Sequence, residues 1–218
     1  MDLSHVQRAA VARFSLQGFA ATGIRDLGAA AGINSATLYH YVGSKQDLLA
    51  RIISDCLDAM TTGGRAAAAS ASDPARQLAA LVAFHVSFTA VNPLTSRVSE
   101  HEMRSLTAEN HAVLQAKRDA YEQLFTDVLA AGAQAGIFSA PDLSMARFAI
   151  MEMATGVAHW YRPDGRLSLR QVQENFVAMA FRILAVPGAP PEQLPEASRL
   201  ASEPVAKEQA DEHLEIHG

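Results

Sequence analysis

Residues 18–53, GFAATGIRDLGAAAGINSATLYHYVGSKQDLLARII, alternate helix starts with glycine stops closely enough to dictate a compact multi-helix head. Gly18 closes a first helix, in which Val6, Ala9, Ala10, Arg13 and Phe14 recur at spacings of three and four. Thr22 is the expected cap of a second, two-turn helix that sets Ile24, Leu27 and Ala31 on one face and ends at Gly32. Asn34 or Ser35 caps a third, Ala36 to Tyr41, with Leu38 inward and Thr37, Tyr39 and His40 largely outward, stopped by Gly43. Ser44, with Asp47 three residues on, begins a fourth through Leu48, Leu49, Ile52, Ile53, Cys56, Leu57 and Met60. Two short helices joined by Gly-Ile-Asn-Ser and propped between a first and a fourth have the dimensions of a helix-turn-helix. The second helix of that motif is the part that enters a major groove.

Working outward, residues 61–73 (TTGGRAAAASASD) lose the apolar period and collect Gly, Ser and Ala, which predicts a linker or frayed helix end. Asp73-Pro74 then starts a helix carrying Leu78, Leu81, Val82, Phe84, His85 and Phe88 up to Asn92-Pro93. A shorter helix follows over 96–106, and a long one opened by Thr107 runs to Gly132 or Gly136. Pro141-Asp142 restarts the chain in a helix over 142–161 that is apolar on nearly every side and needs more than one face covered. Ser168 caps a last helix with Val172, Phe176, Met179, Ile183 and Leu184. Nine helices are predicted, followed by a tail over 187–218 that is poor in apolar residues and is expected to be disordered.

Composition agrees with an all-α chain: of 218 residues 49% are hydrophobic and 6% aromatic, with glycine and proline held to 13 and 9. A β-sandwich would need more turns than these residues provide. The single cysteine, Cys56, cannot form an internal bridge, and the segment MDLSHVQRAA has no basic-then-apolar pattern, so the expected location is cytoplasmic. No apolar run is long enough to cross a bilayer. The net charge of −5 is carried by residues 187–218, whereas residues 1–51 are slightly basic, so overall acidity does not exclude a nucleic acid partner.

The stretch from Val6 to Ile53 resembles the N-terminal domain of the TetR family of transcriptional repressors. The resemblance implies an N-terminal helix-turn-helix DNA-binding domain (residues 1–45), a helical ligand-binding and dimerisation domain (46–186), and a homodimer on palindromic operator DNA. In that frame Thr37, Tyr39 and His40 form the reading face, by hydroxyl or imidazole bonds to bases and phosphates and ring contact with thymine or sugar. Thr22 and Arg25 at the second helix, and Ser44 and Lys45 at the fourth, meet phosphates. Asn34 and Ser35 lie at the turn, Asn34 first as cap. Ser35 and Ala36 depart from the family's frequent lysine and glycine, removing one phosphate contact. Tyr41 and Leu38 are assigned to packing.

The same resemblance places Phe84, His85, Phe88, Arg97, Met103, Arg104, Leu114, Arg118, Tyr121, Phe125 and Met151 around an effector pocket. Aromatic and methionine side chains with a few polar ones suit a small hydrophobic ligand with a polar or anionic end. Residues 142–168 resemble members of the family that respond to acyl-CoA, with Arg97, Arg104 or Arg118 as partners for its phosphates. Compliance is expected at Gly63-Gly64 and Arg65, and no cofactor is expected. Catalysis has no support, since His101-Glu102 is not followed by the second histidine of H-E-x-x-H and the G-x-S-x-G and P-loop patterns are missing. A metal sensor built on His85, His101, His111 and His159, or a helical protein-interaction module, is the alternative. With those histidines on separate helices no metal site is assigned.

Overall fold

The computed structural model describes residues 3–188, whose regular elements are all helices, without strands. The acidic tail assigned to 187–218 lies outside them except for its first two residues. The order is α1 (Leu3–Gln17), α2 (Ile24–Ala30), α3 (Ser35–Val42), α4 (Lys45–Ala69), α5 (Pro74–Val91), α6 (Pro93–His101), a 3₁₀ turn (Met103–Ser105), α7 (Ala108–Gln134), α8 (Leu143–Thr155), α9 (Val157–Trp160) and α10 (Leu169–Ile183). The nine expected helices are all present. The one expected over 142–161 is broken at Gly156 into α8 and the single turn α9.

Side-chain caps hold most of the starts. Asn34 Oδ1 accepts from Thr37 N at 2.8 Å, Asp73 Oδ1 from Arg76 N at 3.0 Å, and Asp142 Oδ1 from Ser144 N at 2.8 Å. Ser168 and Gln171 close a reciprocal capping box. The second helix departs from expectation. Its cap is Gly23, whose N–H donates to Asp26 Oδ2 at 2.9 Å, while Thr22 is buried and donates its hydroxyl to Gly18 O at 2.7 Å. Thr22 closes the α1–α2 loop from within.

Residues 61–69, expected to be a linker, continue α4 for more than two turns. The glycines there serve close approach: a methyl on Gly63 would stand 2.3 Å from the Phe84 ring, and one on Gly64 2.9 Å from that of Tyr121. Compliance at Gly63-Gly64 is therefore replaced by tight packing of α4 on α5 and α7. Two apolar cores result. One, in the head, joins α1 to α3 and the first half of α4 (Leu48, Leu49, Ile52, Ile53 and Leu57) and also takes Val98, Met103 and Leu114 from beyond residue 90. The other surrounds α5, which is buried at every position from Leu78 to Thr89, with α4, α7, α8 and α10 against it. Among the described residues no single helix is long and apolar enough to cross a membrane.

Candidate nucleic-acid interface and effector cleft

The head presents α3 through a turn that only small residues permit. Gly32 takes a φ of +66°, and a methyl on Gly28 would meet Ile33 O at 2.8 Å. Leu38 and Val42 anchor the inner face in the head core. Opposite them Tyr39 (48% exposed) and His40 stand in solvent, with Ser35 and Thr37 half-buried beside them. Tyr41, expected to pack, is also exposed, at 38%, its ring edge-on to His40. The reason is register: Leu38 and Val42, four residues apart, hold the inward stripe, and Tyr41 lies about 100° around the helix from Val42, at the edge of that stripe. Arg25 is exposed at the start of α2.

Two of the expected phosphate contacts have other duties. Lys45 Nζ donates to Phe19 O and Thr22 O, each at 2.9 Å, and lies 4.1 Å from the centre of the Phe19 ring. Two of its three donors are thus used to staple α4 to the α1–α2 loop. Thr22, being buried, presents no side chain outward. Ser44 caps α4, its Oγ accepting from Asp47 N at 3.0 Å and donating to Asp47 Oδ2 at 2.7 Å. It remains half-exposed.

Between α4, α5, α6, α7 and α8 lies a cleft with a cavity of about 130 Å³. At its floor His85 bridges α7 and α8: Nδ1 is 3.1 Å from the Tyr121 hydroxyl and Nε2 3.0 Å from Thr155 Oγ1. Burial pushes the imidazole down to about 4, so it is neutral near pH 7, one nitrogen donating and the other accepting. Burial, and secondarily the Cys56 sulfur, raise the Tyr121 phenol far above its ordinary range. The floor is uncharged and fully hydrogen-bonded. Leu57, Met60, Phe148 and Met151 form apolar walls, and Arg118 and Arg147 stand with Glu100, Glu122 and Glu152 around them. Arg147 is paired with Glu122, and Arg118 Nη2 donates to Ser99 O at 3.0 Å. Ser96 Oγ, in the lining, is buried with no hydrogen-bond partner among the described residues.

Of the expected pocket residues, His85, Arg118, Tyr121 and Met151 line this cleft, and the others do not. Phe84 turns away to Gly63, and Phe88 and Phe125 belong to the core behind. Met103 and Leu114 pack in the head core. Arg104 is exposed on the 3₁₀ turn, and Arg97 Nε donates to Pro93 O at 3.3 Å. Of the three arginines offered as alternative partners for coenzyme A phosphates, Arg118 alone lines the cleft. Sequence reasoning missed Ser96, Ser99, Glu100, Arg147, Phe148 and Thr155. A polar stripe at 96, 99 and 100 on one side of a short helix was the available signal.

Residues 7–52 match the family model of bacterial regulatory proteins of the tetR family, and residues 71–184 that of the tetracyclin repressor-like C-terminal domain. The HTH-type transcriptional repressor KstR2 of Rhodococcus jostii is 31% identical over 178 residues, which span 80% of this chain and 86% of that protein. Among solved structures, a bacterial regulatory protein in the tetR family from Rhodococcus RHA1 matches with a TM-score of 0.80 at 25% identity, over 85% of this chain and 98% of the other. The ketosteroid transcriptional regulator KstR2 of Mycobacterium tuberculosis matches with a TM-score of 0.74 at 26% identity, over 83% and 93%.

Proposed function

The chain belongs to the TetR family of bacterial transcriptional regulators, which are DNA-binding proteins and not enzymes, and on that premise we propose how its head and cleft work together. It is a repressor that binds a palindromic operator as a homodimer and is released by a small hydrophobic or acyl-CoA-type effector. The division of labour falls near residue 45, with DNA reading before it and effector binding and dimerisation over 46–186.

One observation carries the coupling. Helix α6 supplies Ser96, Ser99 and Glu100 to the cleft and Val98 to the core of the head. Just past its end, buried Glu102 accepts from Phe19 N at 3.0 Å. An occupant that displaces α6 therefore acts on the domain that reads DNA, and a ligand preferring one position of α6 shifts the population of reading states. Base and backbone contacts fall to Tyr39, His40, Thr37 and Ser35 on α3, with Arg25, Ser44 and the capped start of α3 at Asn34 holding the backbone. Lys45 and Thr22 act by positioning.

The cleft supports an apolar body with one polar end. The Ser96 hydroxyl lacks a partner among the described residues, and a ligand carbonyl or carboxylate within reach would satisfy it. With Arg147 already paired and three glutamates present, the lining supports the acyl end of a thioester better than the phosphates of coenzyme A, which stay outside. The regulatory name of the KstR2 relatives adds ketosteroid fragments to the candidates. The two-fold partner fits on α8 to α10, where Met145, Phe148 and Trp160 are 62%, 56% and 48% exposed.

Gel shift with the DNA flanking the protein's own gene tests the reading. Tyr39→Ala combined with Arg25→Ala abolishes the shift while circular dichroism and elution volume stay unchanged. A thermal-shift screen of acyl-CoAs, free acids and sterol fragments then identifies the effector. A wild-type dimer that fails to retard this DNA, or a double variant that still does, removes the assignment of α3 as reader.

A further inference from the structure

Outside the cleft floor, one cluster of metal-ligating side chains stands among the described residues: Glu100 and His101 at the end of α6, and His159 on α9. Their nitrogen and oxygen ligand atoms all lie within 4.8 Å of one another. His159 Nε2 is 3.2 Å from Glu100 Oε2, and His101 Nε2 is 3.9 Å from the same oxygen. The two imidazoles meet edge-to-face with centroids 5.5 Å apart.

A hydrogen bond accounts for His159. It does not account for His101, whose Nε2 is too far from Glu100 to be bonded yet converges on the same oxygen. Two imidazole nitrogens and one carboxylate oxygen converging from two helices are a known donor set for borderline divalent metals, which bind at about 2.0–2.2 Å from each ligand atom. Rings that are 54% and 41% exposed are free to make the small rotations that bring the atoms to that spacing. The buried, doubly bonded His85 and the exposed His111 of α7 take no part.

We propose that Glu100, His101 and His159 form a surface site for a divalent transition cation such as Zn(II), with a remaining coordination position open to solvent or to a ligand, joining the end of α6 to α9. The expected separate placement of the histidines is overcome because α6 and α9 pack against each other. Glu100 also lines the effector cleft, so the cation sits on the cleft rim and holds the same helix that reaches the head. This site does not depend on the identity of the effector.

The test is isothermal titration of the untagged full chain with ZnCl₂, with CoCl₂ in parallel to read the d–d absorption of an imidazole- and carboxylate-bound ion. Wild type binds Zn(II) at a site that His101→Ala and His159→Ala each weaken by more than about 10-fold, since even the outer-shell partner of a metal ligand is worth that much. The same two variants lose the Co(II) band, and His111→Ala behaves as wild type. The three varied histidines, His101, His159 and His111, are exposed, and circular dichroism without metal verifies that the variants fold. Equal binding by wild type and both variants, as when His213 and His217 of the tail are the hosts, overturns the proposal. So does a loss in His111→Ala equal to that in His101→Ala, or a wild type that takes up neither cation.

Discussion

Gly63→Ala separates a packed α4 from a compliant one, because the two arrangements predict opposite signs. In a solvent-facing helix, replacing glycine by alanine stabilises by about 1 kcal/mol. Here the new methyl would stand 2.3 and 2.4 Å from Phe84 Cε2 and Cζ, more than 1 Å inside ordinary carbon contact. The ring has nowhere to go. Phe84 is 1% exposed, its neighbour Phe88 is 5.9 Å away between centroids, and α5 is enclosed on all sides. Overpacking of this kind costs up to about 3 kcal/mol, which outweighs the helical gain and leaves the variant about 2 kcal/mol less stable. For a chain of this size that lowers the melting temperature by roughly 4–8 °C.

The assay is thermal unfolding by circular dichroism at one fixed protein concentration, since in the proposed homodimer the transition moves with concentration. Phe84→Leu in the Gly63→Ala background makes room for the methyl, so the double variant is more stable than the sum of the single effects requires. A Gly63→Ala protein that melts at or above the wild-type temperature refutes the packed reading of residues 61–69.

Asn34→Ala removes the cap on Thr37 N and destabilises α3 by about 1 kcal/mol; urea unfolding reads the loss, and Asn34→Asp restores it. Glu102→Ala leaves the buried Phe19 N–H without an acceptor and costs about 1–3 kcal/mol in the same measurement, whereas Glu102→Gln keeps a carbonyl oxygen there and loses less. His85 makes the fold acid-sensitive. With a native value of about 4 against 6.5, the unfolded chain takes a proton that the native one refuses, so the contribution is full above pH 6.5 and about 3 kcal/mol is lost as the pH falls to 4. His85→Gln flattens the dependence of stability on pH over that window, and an unchanged slope contradicts the assignment.

The head was legible because its information is local. Caps at Asn34 and Ser44, a left-handed Gly32 and the alternation of Leu38 with Tyr39 are set by near neighbours in sequence, and the structure places them accordingly. Lys45 shows the limit: a basic side chain at a helix start suggests a phosphate, and only the fold reveals carbonyls of residues 19 and 22 within its reach. Residues 61–69 failed for a related reason. Glycine and alanine weaken the periodic signal of a helix, and they also allow α4 to approach the aromatic rings of α5 and α7. In the cleft, apolar residues on α5 and α7 have similar patterns whether they face a void or a core. Phe84 and Phe125 were thus indistinguishable from Tyr121 until the helices were placed.

What links cleft to head is decided by which helices serve both. Helices α4 and α6 each do, α4 through Cys56, Leu57 and Met60 at the cleft and Leu48 to Ile53 in the head core. The two are anchored differently. α4 is held at Gly63 and Gly64 by rings that touch its backbone side, and by Lys117, whose ammonium donates to Ser54 Oγ at 2.8 Å. α6, held by Arg118 at Ser99 O and by Phe19 N at Glu102 just past its end, has only nine residues, begins at a proline and ends in a 3₁₀ turn. On such a helix Ser96, Ser99 and Glu100 lie on one side and Val98 and the chain leading to Glu102 toward the other, so in the proposed release a displacement at the cleft has about two turns to cross before it meets the head. A packed core passes on such a shift because it cannot absorb it. In the release proposed above, the effector signal enters through the shorter helix, while α4 sets the frame against which that helix moves.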